Sequence, residues 1–448
     1  MKEQLEYKLD DSNELPAIIE YKWTKKTKIL IGVLIFLVIL LLIMILILLV
    51  KAKDLKDEKD DFEEEIDYLK NDTTNLENKK IELINELEKK NIAYTLNNVP
   101  YADKNNSIKN SFKRGGAHYI EELGEINKGQ DYEYTDLNVY DLIIPYTAQQ
   151  NKDNYNKIIL YIHGGSWTGG NRANAKAIYE NLAQSGFISG TLDYTVLNIT
   201  RYNNINIYRI VDEIFAAINH IKNFLKNEGF DEKKLELALF GASAGAHLSL
   251  LYSYCFKDSP IPVKFVVPLY APVTLEYQYW YKITNLEEPL DSIDQKSIDL
   301  AKSEKKIENF NYSSLIWYIN AWNGLHFYDN NSSMYDSDKN EIKTDNEIYK
   351  ERIKKAKFGF PINYVEKDTI PTLCFYAGKD IDIGIGHYSL LKSYFDKKGN
   401  KNIELFYLKG ASHNVADDPP EIGEKLFSEF FSKISIYSDK YFIKNNNF

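Results

Sequence analysis

Cysteine is nearly absent: only Cys255 and Cys374 carry thiols, in separate apolar stretches with no CxxC pair. That excludes a disulfide framework and a cysteine zinc site. Arginine is scarce as well, since all but five of the 55 basic residues are lysine, and 65 acidic side chains leave a net charge of −10. Nucleic-acid binding needs a clustered positive face, so nucleic acid is not an expected partner. Neither GxxxxGK[ST] nor GxGxxG occurs, so the phosphate-cradling loops are missing, and no repeat of solenoid period is visible.

What is present is a globular composition, 44% hydrophobic and 27% charged, over 448 residues, ample for a large buried core. One long apolar run stands out, Ile29 to Val50, long enough to cross a hydrocarbon core of about 30 Å as a helix. A cleavable signal would have a shorter apolar region, about 7–15 residues, ending in small residues, whereas this run ends in Val50-Lys51-Ala52-Lys53. The expected organisation is therefore a short N-terminal tail (1–28), a single transmembrane helix (29–50), a charged helical stalk (51–99) and a large domain (100–448).

Lys22, Lys25, Lys26 and Lys28 before the run balance Lys51, Lys53, Lys56 and Lys59 after it, so lysine placement alone sets no orientation. With so short a tail, translocation of the large domain is the commoner arrangement, and that domain is expected outside the cytoplasm. In the stalk Leu55, Phe62, Leu69, Leu76 and Leu83 fall seven apart, with Ile66 and Leu87 on the adjacent position. Lys59, Thr73 and Lys80 interrupt the seam. A homodimeric coiled coil and a solvated single helix both remain open on this spacing.

Beyond Pro100, short apolar runs alternate with helical periodicity, the pattern of an α/β domain with a mostly parallel sheet. Strands are expected at 137–144, 158–162, 187–192, 235–240, 264–269, 372–376 and 402–408. Helices are expected at 173–184, 208–227, 244–255, 389–397 and 420–433.

The chemistry concentrates where the run at 235–240 enters Gly241-Ala242-Ser243-Ala244-Gly245 ahead of a helix. A serine on a sharp strand-to-helix turn is exposed for nucleophilic attack, and flanking glycines leave room where side chains would collide. Earlier, Ile158–Ile162 runs into His163-Gly164-Gly165-Ser166-Trp167. Two glycines after a strand can leave their N–H groups aimed at an oxyanion, joined by the N–H of Ala244 just after the serine.

A base is needed, and His413 lies on the loop between the last strand and the last helix, placed to reach over the sheet edge to Ser243. His387 is the other histidine in this part of the chain and begins a helix. His247 is expected to pack or hydrogen-bond beneath the turn, and His163 to fix its own loop. His118, His220 and His326 are read as structural or surface residues. The orienting acid should follow the strand at 372–376, where Asp380 and Asp382 compete. Asp380 comes first, and Ile381, Ile383 and Ile385 after it can anchor the loop.

Taken together, residues from about 132 to 431 resemble the α/β-hydrolase superfamily, in the esterase and lipase branch that includes hormone-sensitive-lipase-like and carboxylesterase enzymes. The segments that carry the resemblance are Asn138-Val139-Tyr140-Asp141, His163-Gly164-Gly165-Ser166-Trp167, Asp193-Tyr194, the Gly241–His247 stretch, Gly378-Lys379-Asp380 and Ser412-His413. Ser166 stands where many such enzymes have a third glycine, and the order Ser243, Asp380, His413 is the α/β-hydrolase order.

The resemblance implies a cap, and about 275–360 gives it room, with Tyr277, Tyr279, Trp280, Tyr281, Trp317, Tyr318, Trp322, Phe327 and Tyr328 lining a substrate pocket or forming the insertion's own core. The expected function is a membrane-anchored serine hydrolase of carboxylic esters, short-acyl or acetyl, acting on a small-molecule, lipid or glycan ester. No metal or organic cofactor is implied. An amidase, formamidase or peptidase uses the same machinery, and a non-catalytic tethered binding protein is the reading of a different class.

Overall fold

A computed structural model describes residues 91–105, 107–109, 131–197, 205–277, 280, 312–380, 382–408 and 410–442, together with 38, 41 and 42. The apolar run Ile29–Val50 and the stalk up to residue 90 therefore lie outside the described residues, apart from Val38, Leu41 and Leu42. Among the described residues no helix is long and apolar enough to cross a membrane.

Eight strands form one sheet: β1 (Tyr94–Pro100), β2 (Val139–Ile144), β3 (Lys157–Ile162), β4 (Ile188–Leu192), β5 (Glu236–Ala242), β6 (Val263–Leu269), β9 (Thr372–Ala377) and β10 (Ile403–Leu408). Their order is β1-β2-β4-β3-β5-β6-β9-β10; β1 and β2 run antiparallel to their neighbours and the rest are parallel. β3, β5 and β9 are almost wholly buried, as parallel strands covered on both faces must be, which explains their near-continuous apolar sequences.

The principal helices are α1 (Lys176–Gln184), α2 (Ile207–Asn227), α3 (Ala244–Cys255), α4 (Ser313–Trp322), α5 (Glu347–Ala356), α6 (Gly386–Lys397) and α7 (Pro420–Tyr441). The side chain of Asn206 caps α2 by accepting from Arg209 N. Inside that helix the fully buried Arg209 pairs with Glu213 at 2.8 Å, and Glu213 also accepts from the backbone N and hydroxyl of Thr195. A buried charge tolerates that position only because its partners are complete. α7 packs Phe430 on Phe240 of β5 and Phe375 of β9.

The boundary expected at 99/100 falls inside a strand and is corrected: β1 belongs to the sheet, and its Leu96 and Val99 are buried. Two features conceal it in sequence. The register against β2 shifts between Leu96 and Val99, where Asn98 takes a left-handed φ of 54°, so the two-residue alternation is broken by a bulge. Pro100, which reads as a terminator, is tolerated because β1 is an edge strand.

The insertion between β6 and β9 contains α4, a two-stranded hairpin of β7 (Tyr335–Asp336) and β8 (Glu341–Ile342), and α5. It has its own core, with Leu315, Ile316, Ile319, Trp322, Met334 and Ile353 buried. Arg352 of α5 ties it together by donating to Asn320 and to the carbonyl of Asp329.

A chain that begins at Asn91 should melt like the same domain in the full protein, whereas one that begins at Tyr101 loses β1 and bares the edge of β2. Loss of its buried apolar side chains, about 1.5–3 kcal/mol each, should lower the midpoint by roughly 10 °C in a thermal melt.

Candidate active site

Ser243 sits between β5 and α3 with φ 54° and ψ −122°, a conformation that costs an L residue about 1–3 kcal/mol. Its surroundings hold it there: Ser243 N donates to Leu269 O at 2.8 Å, and its own carbonyl accepts from His247 N at 3.0 Å. The flanking glycines are required by close approach. A Cβ on Gly241 would stand 2.6 Å from the Ile162 carbonyl oxygen, and one on Gly245 would collide with the same oxygen. The end of β3 is thus wedged against the turn, and the loop that follows β3 is delivered beside the serine.

That loop is tightly constrained. A Cβ on Gly164 would meet Ala242 O at 2.7 Å and the Ser243 Cβ at 3.4 Å. His163 Nδ1 lies 2.8 Å from Gly164 O, and its ring stacks on Tyr194 at 4.1 Å, so His163 fixes the loop as expected. Gly165, Ser166 and Trp167 follow with φ of 113°, 52° and 60°. For Ser166 and Trp167 the left-handed region costs about 1–2 kcal/mol each. Among the described residues the N–H groups of Gly165 and Ala244 donate no backbone hydrogen bond, while the N–H of Gly164 faces the Tyr161 hydroxyl.

The parallel ends of β9 and β10 bring the other two groups together. Lys379 N donates to Ala411 O at 2.7 Å, stapling the loop after β9 to the loop after β10. Asp380 is buried, and one of its oxygens accepts from the N–H groups of Asp382 and Ile383 at 2.8 and 2.7 Å. The other lies 2.7 Å from His413 Nδ1. His413 is therefore paired with Asp380, not with Asp382, which is exposed nearby. Ser412 fastens the histidine loop, its N donating to Asp418 and its hydroxyl to Asn414 O.

Burial works against a charged imidazole, but the bond to Asp380 and the charges of Asp380 and Asp382 prevail, and the pKa of His413 is raised above the ordinary histidine value. Among the described residues Ser243 and His413 are not hydrogen-bonded to each other. Two strands, β6 and β9, separate the strand before Ser243 from the strand before His413, and Tyr270, directly after Leu269 of β6, sets its ring against the imidazole of His413 at 5.7 Å between centroids. Tyr270 was not expected from sequence; a single tyrosine after an apolar strand gives no signal, and its left-handed φ of 59° is visible only in the fold.

The remaining histidines lie apart from this pair. His387 is fully buried, pushed down to about 3 by burial, and its Nδ1 accepts from Val273 N. His247 is buried under the turn, between Trp167 and the cap, as expected. His220 meets the Tyr140 hydroxyl, and His326 meets Tyr328 N. His118 is outside the described residues. Of the cap aromatics, Trp322 and Tyr318 pack edge-on against Trp167, and Trp280 against His387, so these rings belong to packing. Tyr279 and Tyr281 lie outside the described residues. Asp380, Asp382 and His413 bring ligand-type atoms within 4.8 Å of one another, but Asp380 and His413 are already committed to each other.

An eight-stranded sheet of this order, a strained serine turn after its fifth strand, and a glycine loop and an acid–histidine pair at the strand ends define an α/β-hydrolase of the esterase branch. The BD-FAE family profile matches residues 142–395, more than half of the sequence, and the chain belongs to the BD-FAE family. No curated protein matches it. Similar solved structures include a truncated carbohydrate esterase from gut microbiota, 15% identical over 76% of this chain and 97% of that one, with a TM-score of 0.45. A hyperthermophilic esterase from the archaeon Pyrobaculum calidifontis is 16% identical over 70% of this chain and 84% of that one, with a TM-score of 0.44. A thermophilic esterase from the planctomycete Thermogutta terrifontis is 15% identical over 74% and 95%, with a TM-score of 0.45.

Because the pKa of His413 is raised in the folded state, its pairing contributes stability that is full below the ordinary histidine pKa and is lost as pH rises through the raised value. In Asp380→Asn the charge of Asp380 is gone and only Asp382 still opposes the effect of burial. An NMR titration of the histidine side chains should then find His413 below its wild-type value.

Proposed function

We propose that this protein is a membrane-anchored serine hydrolase that cleaves carboxylic esters through an acyl-enzyme. The observation that carries the reading is the buried Asp380 bonded to His413 at 2.7 Å, after β9 and β10 at the same end of the sheet as the strained Ser243 turn. Ser243 Oγ attacks the acyl carbonyl carbon while His413 Nε2 takes the hydroxyl proton. The tetrahedral oxyanion is met by the N–H groups of Gly164, Gly165 and Ala244. Collapse expels the alcohol, which receives the proton from His413. Water then enters by the same base catalysis and releases the acid. Asp380 keeps the proton of neutral His413 on Nδ1, leaving Nε2 free to act as base, and stabilises the imidazolium that forms.

Short acyl groups, acetyl above all, are the proposed substrates, carried on a small molecule, a glycan or a lipid. The proposed anchor, residues 29–50, would hold the domain at a membrane surface, outside the cytoplasm, where such esters are met.

Hydrolysis of p-nitrophenyl esters from acetate to palmitate by the full chain should peak at two to four carbons. Ser243→Ala should lower kcat by more than about 10³-fold and abolish fluorophosphonate labelling. Faster turnover of matched amides would instead make the enzyme an amidase, and a folded protein that neither turns over nor labels would be non-catalytic. As for the anchor, the full chain should remain in the membrane pellet after alkaline carbonate extraction, and recovery in the supernatant would refute the anchor.

A further inference from the structure

The oxyanion loop is built from backbone that resists its own conformation. Ser166 and Trp167 are both left-handed, with φ of 52° and 60°, and follow Gly165 at 113°. Two L residues in succession stay there only if their surroundings over-determine them. The loop's internal bonds are few: Thr168 N and Gly169 N both donate to Gly165 O. What anchors it from outside is Trp167. Its carbonyl accepts from Leu197 N at 2.7 Å, its ring meets Trp322 and Tyr318 edge-on at 5.0 and 5.2 Å, and its indole Nε1 lies 3.0 Å from His247 Nδ1.

This last bond settles the state of His247. An indole nitrogen is only a donor, so Nδ1 must be the acceptor, and the single ring proton of a neutral imidazole then sits on Nε2. Nε2 lies 2.6 Å from Gly359 O, an acceptor, and the assignment is self-consistent. Burial pushes His247 down to about 4, with the bond to Gly359 opposing it, so the neutral form is the working form. His247 stands on the first turn of α3, four residues after Ser243. One ring thus joins the nucleophile helix, the oxyanion loop and the segment leaving the cap. Gly359 has no room for a side chain, because a Cβ there would stand 2.5 Å from the Trp322 ring.

We infer that His247 is a positioning residue for ester hydrolysis: by accepting from Trp167 it holds the strained oxyanion loop in register with Ser243, and by donating to Gly359 it makes that register depend on a seated cap. The inference rests on the hydrolase reading for its catalytic consequence but not for its geometry. It also separates the two ring nitrogens. Asn at 247 keeps an acceptor near the Nδ1 position, whereas Gln keeps a donor near the Nε2 position and loses the acceptor for Trp167.

The experiment compares full-length wild type, Trp167→Phe, His247→Asn, His247→Gln and the Trp167→Phe/His247→Gln double variant. The readouts are p-nitrophenyl acetate kinetics and amide hydrogen exchange at Thr168, Gly169 and Leu197. Trp167→Phe and His247→Gln should each lose about 10²-fold in kcat, the order of one oxyanion donor, with KM within threefold. Exchange at the three amides should quicken at least about tenfold in both. The double variant should be no worse than the poorer single one, since both remove the same bond. His247→Asn, which keeps the acceptor for Trp167 but loses the donor to Gly359, should fall between wild type and His247→Gln in both readouts.

Losses that multiply in the double variant, or His247→Asn as impaired as His247→Gln, would overturn the inference. If a His247 variant does not fold, Trp167→Phe alone decides: wild-type exchange and rate in it would overturn the inference. A wild type that hydrolyses no ester sinks the hydrolase reading instead, and the exchange data still decide the role of His247.

Discussion

The serine turn and the loop beside it depend on one close approach, the Ile162 carbonyl lodged between Gly241 and Gly245. Because no Cβ intervenes, the end of β3 and the start of α3 share a space that ordinary side chains would fill. The serine turn is forced into its strained geometry, and the loop after β3 emerges beside it instead of a side chain's width away. Ser243 on one side and Ser166 and Trp167 on the other all take left-handed φ. Each is tolerated because packing around it admits no relaxed alternative.

The acid and the histidine arrive by a different route. Their loops leave two adjacent parallel strands at the same end, and the bond from Lys379 N to Ala411 O continues the ladder beyond the last paired residues. That extra bond places a buried carboxylate under a largely buried imidazole. With one oxygen of Asp380 held by two backbone N–H groups, the other is free to orient His413. The raised pKa follows from the same arrangement, since two carboxylates outweigh the penalty of burial.

The cap takes part in this architecture as well as covering it. Trp322 and Tyr318 pack on Trp167, and Gly359 accepts from His247, so the insertion contributes to the shape of the loop that faces the serine. Of the rings that in sequence could equally have lined a pocket or filled a core, Trp322 and Tyr318 are spent on this contact, Trp280 packs on His387, and Tyr277 and Trp317 pack on Tyr312 and Tyr328.

The central strands were legible because burial on both faces demands continuous apolar sequence, and the serine turn was legible because only glycine tolerates the close approach at 241 and 245. The pairing of Asp380 rather than Asp382 was favoured by order along the chain, but it needed the strand ends to decide it. β1 was not legible: a bulge at Asn98 breaks the alternation that would have marked it, and the proline at its end suggested a boundary. The helices of the cap carried no motif and were not expected individually. The part played by His247 was hidden for a simpler reason. Its partners, Trp167 and Gly359, are 80 and 112 residues away along the chain, and hydrogen bonds of that range leave no local pattern. Local sequence thus determined which residues can do chemistry, through propensity, burial and steric permission. Only the tertiary structure decided which of them meet, because that depends on how separate strand ends and an insertion converge in space.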